Sequence, residues 1–444
     1  MAERDLSESP VRELLRRFLI TFFLGMVVYR FGTYVPIPGV SVEVLGKLVT
    51  DSTSTIGAIL RYADMFSGGA IQNASIFGLG VTPYISASII IQLLTYSIPA
   101  LKALQKEGEG GRRKLNQYTR YATLLICLVQ ATIAAIALAN YTVNVGSQGE
   151  TSLLQQGYDR FAFIVTAVMV ITTGSMAILW IAEQITRHGI GNGVSIIIAI
   201  GIIAYMPSAL SGIGTDLVKV LMVAIVCLLL IAAIVVVVQA VRRIGLEQQR
   251  RVQGNKIYGG AQTTLPLKLN QANVIPVIFA SPVIIVINVL VGWQVIAWLG
   301  LDQMFSYGNV GHRYLFAALI IFFTFFYISI TFDLKEMSSH FKQSGFFVRG
   351  IRPGQNTVDY LQAILTRITF VGAIFLALIA IMPEIIGSTL GQTHSNLLVG
   401  GTGLMIIVGV TIDVMQKVGT FFLAQQYRGL GDEGGRKPSG GKRF

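Results

Sequence analysis

Residues 64–98 read DMFSGGAIQNASIFGLGVTPYISASIIIQLLTYSI and carry no formal charge after Asp64. The first part of this stretch is interrupted by Gly68 and Gly69 and is too short to cross a bilayer. The remainder, from about Ser75 onward, is long enough to span at about 1.5 Å per residue. In a membrane, irregular backbone persists only where protein buries it or where it lines a wet cavity. The stretch therefore predicts a short broken element, a spanning helix directly after it, and a cavity on the side from which this helix enters.

The composition is typical of a polytopic membrane protein. Of the 444 residues, 53% are hydrophobic and only 13% are charged, whereas a soluble domain is about a quarter charged. The first apolar run is interpreted as a retained span, because no small-residue cleavage site follows it. Ten uncharged or nearly uncharged runs predict ten spans, at about 18–36, 75–98, 121–143, 161–182, 190–210, 220–241, 271–297, 314–332, 368–386 and 397–416.

The positions of the basic residues predict the orientation. The chain has 34 Lys and Arg residues and a formal net charge of +12. With a cytoplasmic N-terminus, 28 of the 34 lie in cytoplasmic segments and 6 lie on the other side. Because basic loops stay inside, both termini are expected in the cytoplasm. The net charge is thus interpreted as topology rather than as a general affinity for nucleic acid.

Two of the cytoplasmic loops, 242–268 and 333–367, are longer than ordinary connections. Both mix basic residues with glycine, aromatic and amide residues. One interpretation is that these loops only enforce topology, and the other is that they form a docking platform for a large, partly acidic partner. Both interpretations stay open on these residues alone.

Few residues suggest chemistry. The four histidines stand at separate places and no pair has metal-ligand spacing. Cys127 and Cys227 lie inside apolar runs and fit small core residues. The segment GIGNG at 189–193 lacks the preceding strand and the Lys-Ser/Thr of a phosphate loop, so it predicts a tight turn between two helices. The sequence therefore predicts no catalytic residue, no metal site and no cofactor.

Two classes of function remain open on these residues, a transporter and an anchoring scaffold. A secondary solute or ion transporter usually places ionisable groups near the middle of the membrane. The candidates are Arg30, which can snorkel to the outer interface, and Asp413, which has Lys417 four residues on as a helical pair. An anchoring scaffold without a pore is the second alternative.

Several strings resemble the SecY family, the channel subunits of the bacterial protein translocase, in the same order along nearly the whole chain. They are PIPG (36–39), MFSGGA (65–70), PYISASIIIQLL (83–94), KEGEGGRRK (106–114), QYTRY (117–121), EQITRHGIGNG (183–193), LPLKLN (265–270), VIPVIFASP (274–282), SGFFVRGIRPG (344–354) and GGTGLMI (400–406).

The resemblance implies an all-α polytopic membrane protein, with ten transmembrane helices in two pseudo-symmetric five-helix halves that close like a clamshell around a central pore. The halves fall on 18–213 and 214–423, between a cytoplasmic N-terminus at 1–17 and a basic flexible tail at 424–444. The implied function is a passive protein-conducting channel in the bacterial cytoplasmic (inner) membrane. It admits signal sequences through a lateral gate between spans 2 and 7, with spans 3 and 8 beside them.

The resemblance also implies the residues that seal this channel. The plug falls on about 64–73, and the pore ring falls on one valine and four isoleucines. The plug residues are Asp64, Met65, Phe66, Ser67, Gly68, Gly69 and Ala70, and the ring residues are Val81, Ile85, Ile198, Ile278 and Ile406. Counted at about 1.5 Å per residue from the predicted span starts, the four isoleucines fall near the middle of a core about 30 Å thick.

The implied partners are the small membrane subunits SecE and SecG, the motor ATPase SecA, the ribosome, signal sequences, unfolded secretory chains and the phospholipid bilayer. The residues implied to bind SecA or the ribosome are Arg250, Arg251, Lys256, Arg349 and Arg352. The chain departs from the family pattern at Asn255 and Asn73, where basic residues are common, and at Val81, where isoleucine is usual. The departure at Asn255 puts one ribosome contact in question.

Overall fold

The computed structural model describes residues 10–50, 55–144, 150–155, 157, 159–211, 217–248, 251–253, 256–258, 262–292, 310–389 and 401–433. Over these residues the chain is mostly helical. Six of the described helices are long and apolar enough to cross a membrane, or seven if one pair bent by 100° counts as a single span. The finer count of ten spans stays a prediction.

Residues 10–211 form mainly helices. The elements are α1 (Pro10–Phe22), a π-helical segment (Phe23–Tyr29), α2 (Arg30–Gly32), α3 (Val42–Thr50), α4 (Thr55–Ser67), α5 (Thr82–Ser97), α6 (Pro99–Lys106), α7 (Glu109–Asn140), β1 (Thr142–Asn144), β2 (Glu150–Ser152), α8 (Arg160–His188) and α9 (Gly193–Ser211). The first helix begins at Pro10, so it starts eight residues before the predicted span. The predicted turn at 189–193 separates α8 from α9, as expected.

Residues 217–433 add further helices and a small sheet. The elements are α10 (Leu217–Gln239), β3 (Val241–Gln248), β4 (Arg251–Gln253), β5 (Lys256–Tyr258), β6 (Gln262–Lys268), α11 (Ile275–Gly292), α12 (Val310–Thr331), α13 (Leu334–Gln343), β7 (Phe346–Val348), α14 (Gln355–Thr389) and α15 (Gly401–Glu433). Helix α15 continues to Glu433, into the segment 424–444 that the sequence predicts as a flexible tail, and that flexibility stays a prediction. Residues 434–444 lie outside the described part of the chain.

The prediction of an all-α protein is wrong in the two long loops. Strand β3 pairs antiparallel with β6 along one edge and with β7 along the other. Ile244 and Leu246 alternate with exposed neighbours along β3, and both are buried with Leu267 and Val348. They pack on Leu361 of α14. The loops therefore form a compact three-stranded unit with a hydrophobic core of its own.

The predicted helical start near Ser75 is also wrong, because α5 begins at Thr82. Residues 71–81 form turns, and two of them pair with residues 35–37, which follow α2. The Ile37 amide donates to the Ala74 carbonyl (2.7 Å) and the Ile76 amide donates to the Val35 carbonyl (3.0 Å). These long-range hydrogen bonds fix residues 71–81 in turns, so this segment does not continue α5 toward its N-terminus. Depths counted from Ser75 are therefore wrong for the second span.

Long helices pack through small side chains and expose branched aliphatic ones. On α7 the buried face is made of small residues four positions apart, and α7 packs against α5 and α8. Leu125 and Ile133, on the other face of α7, are 65% and 63% exposed. The exposed aliphatic face suits contact with lipid. The small residues on the buried face allow the close helix contact on which packing in a membrane depends. The buried residues are Gly111, Thr119, Thr123, Cys127, Ala131, Ala135 and Ala139.

Candidate functional site

The segment predicted as a plug is folded into the interior of the helical bundle. Helix α4 ends at Ser67, and Gly68 and Gly69 reverse the chain with φ values of +69° and +88°. Met65 and Ala70 are buried and belong to the central hydrophobic cluster of the protein, to which α9, α11, α12, α14 and α15 also contribute. The segment thus occupies the space between the helices rather than the surface.

A buried carboxylate shapes this segment. Asp64 is fully buried, and its Oδ1 atom accepts hydrogen bonds from the backbone amides of Ile71 (2.7 Å) and Gln72 (3.1 Å). The same oxygen accepts a hydrogen bond from the Ser67 hydroxyl (3.2 Å). Because these donors lie three to eight residues after Asp64, the carboxylate closes the turn that follows α4. Asp64 therefore stabilises the folded conformation of the plug segment.

The first helical stretch and α9 hold the plug by its main chain. The Tyr29 hydroxyl donates to the Ser67 carbonyl (2.9 Å), and the Arg30 guanidinium donates to the Gly68 carbonyl (2.5 Å). Helix α9 approaches the same backbone, because a Cβ atom at Gly68 would lie 2.9 Å from the Cα atom of Gly201. Sequence reasoning missed Tyr29 and Gly201. The signal for Arg30 was its lone charge in an apolar run, but it was interpreted as an interfacial anchor.

The five residues predicted as a ring gather in one place. Val81, Ile198 and Ile406 are 7%, 5% and 2% exposed and belong to the central cluster. Ile85 and Ile278 are half-buried and pack against the same cluster. They come from the start of α5, from α9, from α11 and from α15. Their arrangement as a ring at one depth stays a prediction.

A cavity of about 900 Å³ lies between the α5–α7 side and the α12–α13 side of the protein. Ser88, Gln92 and Thr95 of α5 contribute polar groups to its wall, opposite Tyr327 and Thr331 of α12. The lining of the cavity runs along α5 from Tyr84 to Tyr96. The cavity predicted at the start of this helix stays a prediction.

Two ion pairs stand at the edge of this cavity. Lys102 Nζ lies 3.3 Å from Asp333 Oδ2, and Lys106 Nζ lies 3.1 Å from Glu336 Oε1. Asp333 also caps α13, because its Oδ1 atom accepts the backbone amide of Glu336 (3.1 Å). This hydrogen bond is the main reason why the pKa of Asp333 lies below its ordinary value, and Lys102 lowers it further.

The basic residues predicted to dock partners lie in and around the three-stranded unit. Arg349 and Arg352 follow β7, in a turn where Gly350 and Gly354 adopt φ values of +80° and +118°. Both arginine side chains are exposed, and Arg349 Nε lies 3.7 Å from Glu247 Oε1. The backbones of Arg251 and Lys256 lie in β4 and β5, whereas Arg250 and Asn255 lie outside the described residues.

Arg30 and Asp413, the two candidates for ion transport, do not lie together in a polar site. Arg30 is bonded to the plug, and Asp413 is exposed on α15. Within the described ranges, no group of three or more His, Cys, Asp or Glu residues could hold a metal ion.

Several spanning helices thus surround an apolar interior, a folded segment sits in that interior, and a partly polar cavity opens beside it. These features define a helical membrane protein with a segment folded into its apolar interior. The family model named SecY matches residues 75–415. The chain belongs to the SecY family, which confirms the resemblance found in the sequence.

Curated relatives are similar over almost their whole length. The protein translocase subunit SecY of Escherichia coli (strain K12) is 41% identical over 434 residues, which is 95% of this chain and 94% of the relative. The protein of the same name from Thermotoga maritima is 38% identical over 426 residues, or 95% of each chain.

Solved structures share the fold. One described as the structure of a protein conducting channel matches with a TM-score of 0.59 at 16% identity and covers 96% of both chains. A second, whose title says that the plug domain of the SecY protein stabilises the closed state, matches with a TM-score of 0.56 at 16% identity and 96% coverage of both chains. At this identity the two matches establish the fold alone.

Proposed function

We propose that this chain is a protein-conducting channel, which passes secretory proteins across the bacterial cytoplasmic membrane and inserts membrane proteins into it. The observation that carries the proposal is that the plug segment and the five ring residues share one apolar cluster. The names of the 38–41% identical relatives, protein translocase subunits, support it. In this proposal the ten spans form two five-helix halves, with the pore between them.

The proposed constriction is hydrophobic. Aliphatic side chains offer water and ions no hydrogen bonds, so a narrow apolar ring resists wetting and leak. The same ring is indifferent to sequence, because its side chains can adapt around an extended chain without breaking polar pairs. In the resting state the plug fills the funnel beside the ring, where Tyr29 and Arg30 hold its backbone.

The proposed lateral gate lies between α5 and α11, with α7 and α12 beside them. An apolar signal sequence that enters the gate gains about 25 cal/mol per Å² of buried surface. If it binds the open state better than the closed one, the population shifts toward the open state. The energy for transport comes from outside the chain, from SecA, from translation on the ribosome or from the membrane potential, with SecE and SecG as membrane partners.

The three-stranded unit is the proposed docking platform for SecA or the ribosome. Its support is the exposed turn that carries Arg349 and Arg352 on a structured base. Pro353 fixes its own φ, and the flanking glycines allow a partner to approach closely. A solved structure titled Sec61 in the canine ribosome-channel complex shares this fold with a TM-score of 0.56 at 15% identity, which agrees with such a role.

The topology is tested by cysteine labelling. Gln155 and Lys114 are both exposed, and the charge distribution predicts that they lie on opposite sides of the membrane. Cysteine at Gln155 should react with an impermeant thiol reagent in intact cells, and cysteine at Lys114 should react only after lysis. The reverse pattern would refute the orientation.

The function is tested by crosslinking a stalled secretory chain to the proposed pore. A photoreactive group at Ile85 or Ile278 should crosslink to the chain. The control position is Ile171, which is 3% exposed and belongs to a second hydrophobic cluster that contains none of the plug or ring residues. Equal crosslinking at all three positions would refute the ring, and its absence at all of them would refute the channel.

A further inference from the structure

Two ion pairs join parts of the chain that are far apart in sequence. Lys102 and Lys106 lie one turn apart on α6, and their partners Asp333 and Glu336 lie at the start of α13. The first pair alone links residues 231 positions apart. We define these four residues as the clasp.

The clasp spans the cavity beside the proposed gate. Helix α6 follows α5 after a bend of 100° at Ile98, and α13 follows α12 after Phe332 and Asp333. All four residues of the clasp line the cavity of about 900 Å³ that separates these two helix pairs. A movement of α5 away from α12 would therefore have to separate the charges.

We propose that the clasp holds the two sides of the gate together at the mouth of this cavity, and so sets how apolar a signal sequence must be to open it. This inference rests on the proposed channel function. The geometry favours a bridge over a local helix contact. The two lysines are four residues apart, the two acids are three residues apart, and Asp333 is fixed in place as the cap of α13.

The strength of the clasp suits a reversible closure. The four side chains are between 39% and 57% exposed, so solvent screens both pairs. Exposed ion pairs are individually weak, and the two together should shift the ratio of closed to open gate by about two- to thirtyfold. A shift of this size biases the gate without locking it.

Charge reversal and charge exchange test the clasp. Lys106→Glu and Glu336→Lys should each lower the signal hydrophobicity needed for export, and the double exchange should restore the wild-type threshold. The matched control is Arg113→Glu, because the ion pair that Arg113 forms with Glu109 (2.8 Å) lies within the single helix α7. Single reversals that leave the threshold unchanged, or a double exchange that behaves like the sum of the two, would overturn the proposal.

A distance measurement tests the clasp without export. Spin labels at Ala103 and Ser339, both exposed on α6 and α13, should show a longer distance in each single reversal and the wild-type distance in the double exchange. Raising the ionic strength from about 0.1 M to about 1 M should also lengthen it, because the screening length falls from about 10 Å to about 3 Å. If the wild-type complex exports nothing, the channel function fails. The distances alone then decide on the clasp, and unchanged distances would overturn it.

Discussion

Replacing Gly68 by alanine should release the plug. Gly68 adopts a φ of +69°, and a Cβ atom there would lie 2.9 Å from the Cα and 3.3 Å from the carbonyl oxygen of Gly201. Neither atom belongs to a flexible side chain, so the backbone of the plug itself has to move. The Arg30 and Tyr29 hydrogen bonds to the plug are expected to weaken with this movement.

Gly69 provides a matched control. It adopts a φ of +88°, but a Cβ atom there has no neighbour within 4 Å. Alanine in the left-handed region costs about 1–2 kcal/mol at either position, so this cost cancels in the comparison. The overpacking at Gly68 adds about 1–3 kcal/mol, which corresponds to about a 5- to 150-fold larger shift toward the open state.

The assay is single-channel conductance of the purified complex in lipid with no substrate bound. Gly68→Ala should raise the open fraction by the stated factor over Gly69→Ala. Gly201→Ala should act in the same direction as Gly68→Ala, because its Cβ atom would lie 3.1 Å from the Phe66 carbonyl oxygen and alanine is favourable within a helix. Equal conductance of the two plug variants, or wild-type behaviour of Gly201→Ala, would refute the reasoning.

Three further predictions concern Tyr29, Arg352 and Asp333. Tyr29→Phe leaves the Ser67 carbonyl without its 2.9 Å donor, costs about 1–3 kcal/mol and should raise the leak current, whereas Tyr121→Phe on α7, where the side chain is 69% exposed, should not. Arg352→Glu should leave the amount of protein in the membrane normal but abolish SecA-driven export; normal export would contradict the assignment. The lowered pKa of Asp333 means that its charge, and the stabilisation from it, is present above the ordinary value of about 3.9. That stabilisation is lost only as the pH falls through the lowered pKa that Asp333 has in the folded protein. The Ala103–Ser339 distance should therefore stay constant between pH 5 and 8. A change of the distance in this range would refute the prediction.

The apolar runs predicted most of the long helices, because membrane spans depend on local composition. The run 161–182 lies inside α8 (Arg160–His188), and the run 121–143 largely overlaps α7 (Glu109–Asn140). The ring residues could be named from the family resemblance, and they do meet in one cluster. Mid-span isoleucines are common in such proteins, so periodicity and depth could not have selected these four.

The features that were missed depend on contacts between distant residues. The start of α5 is delayed to Thr82 by backbone pairing with residues 35–37, and glycine in a membrane segment gives no clear sign of this. The sheet in the long loops left a weak signal, since Ile244 and Leu246 alternate with polar or small residues. That signal was hidden by the basic residues around it. The plug contact of Gly201 had no signal in the sequence.

The polar contacts that hold the plug backbone lie on one side of the proposed gate, whereas the clasp crosses it. Tyr29, Arg30 and Gly201, which contact the plug backbone, all lie within residues 10–211, whereas the clasp joins α6 to α13. Separation of the two sides of the gate therefore leaves the backbone hydrogen bonds of the plug intact and disturbs only its apolar packing in the central cluster. Gate opening and plug release should be separable steps, so Glu336→Lys should lower the signal threshold without raising the leak current, and Gly68→Ala should raise the current. If Glu336→Lys leaked as much as Gly68→Ala, the two steps would be one.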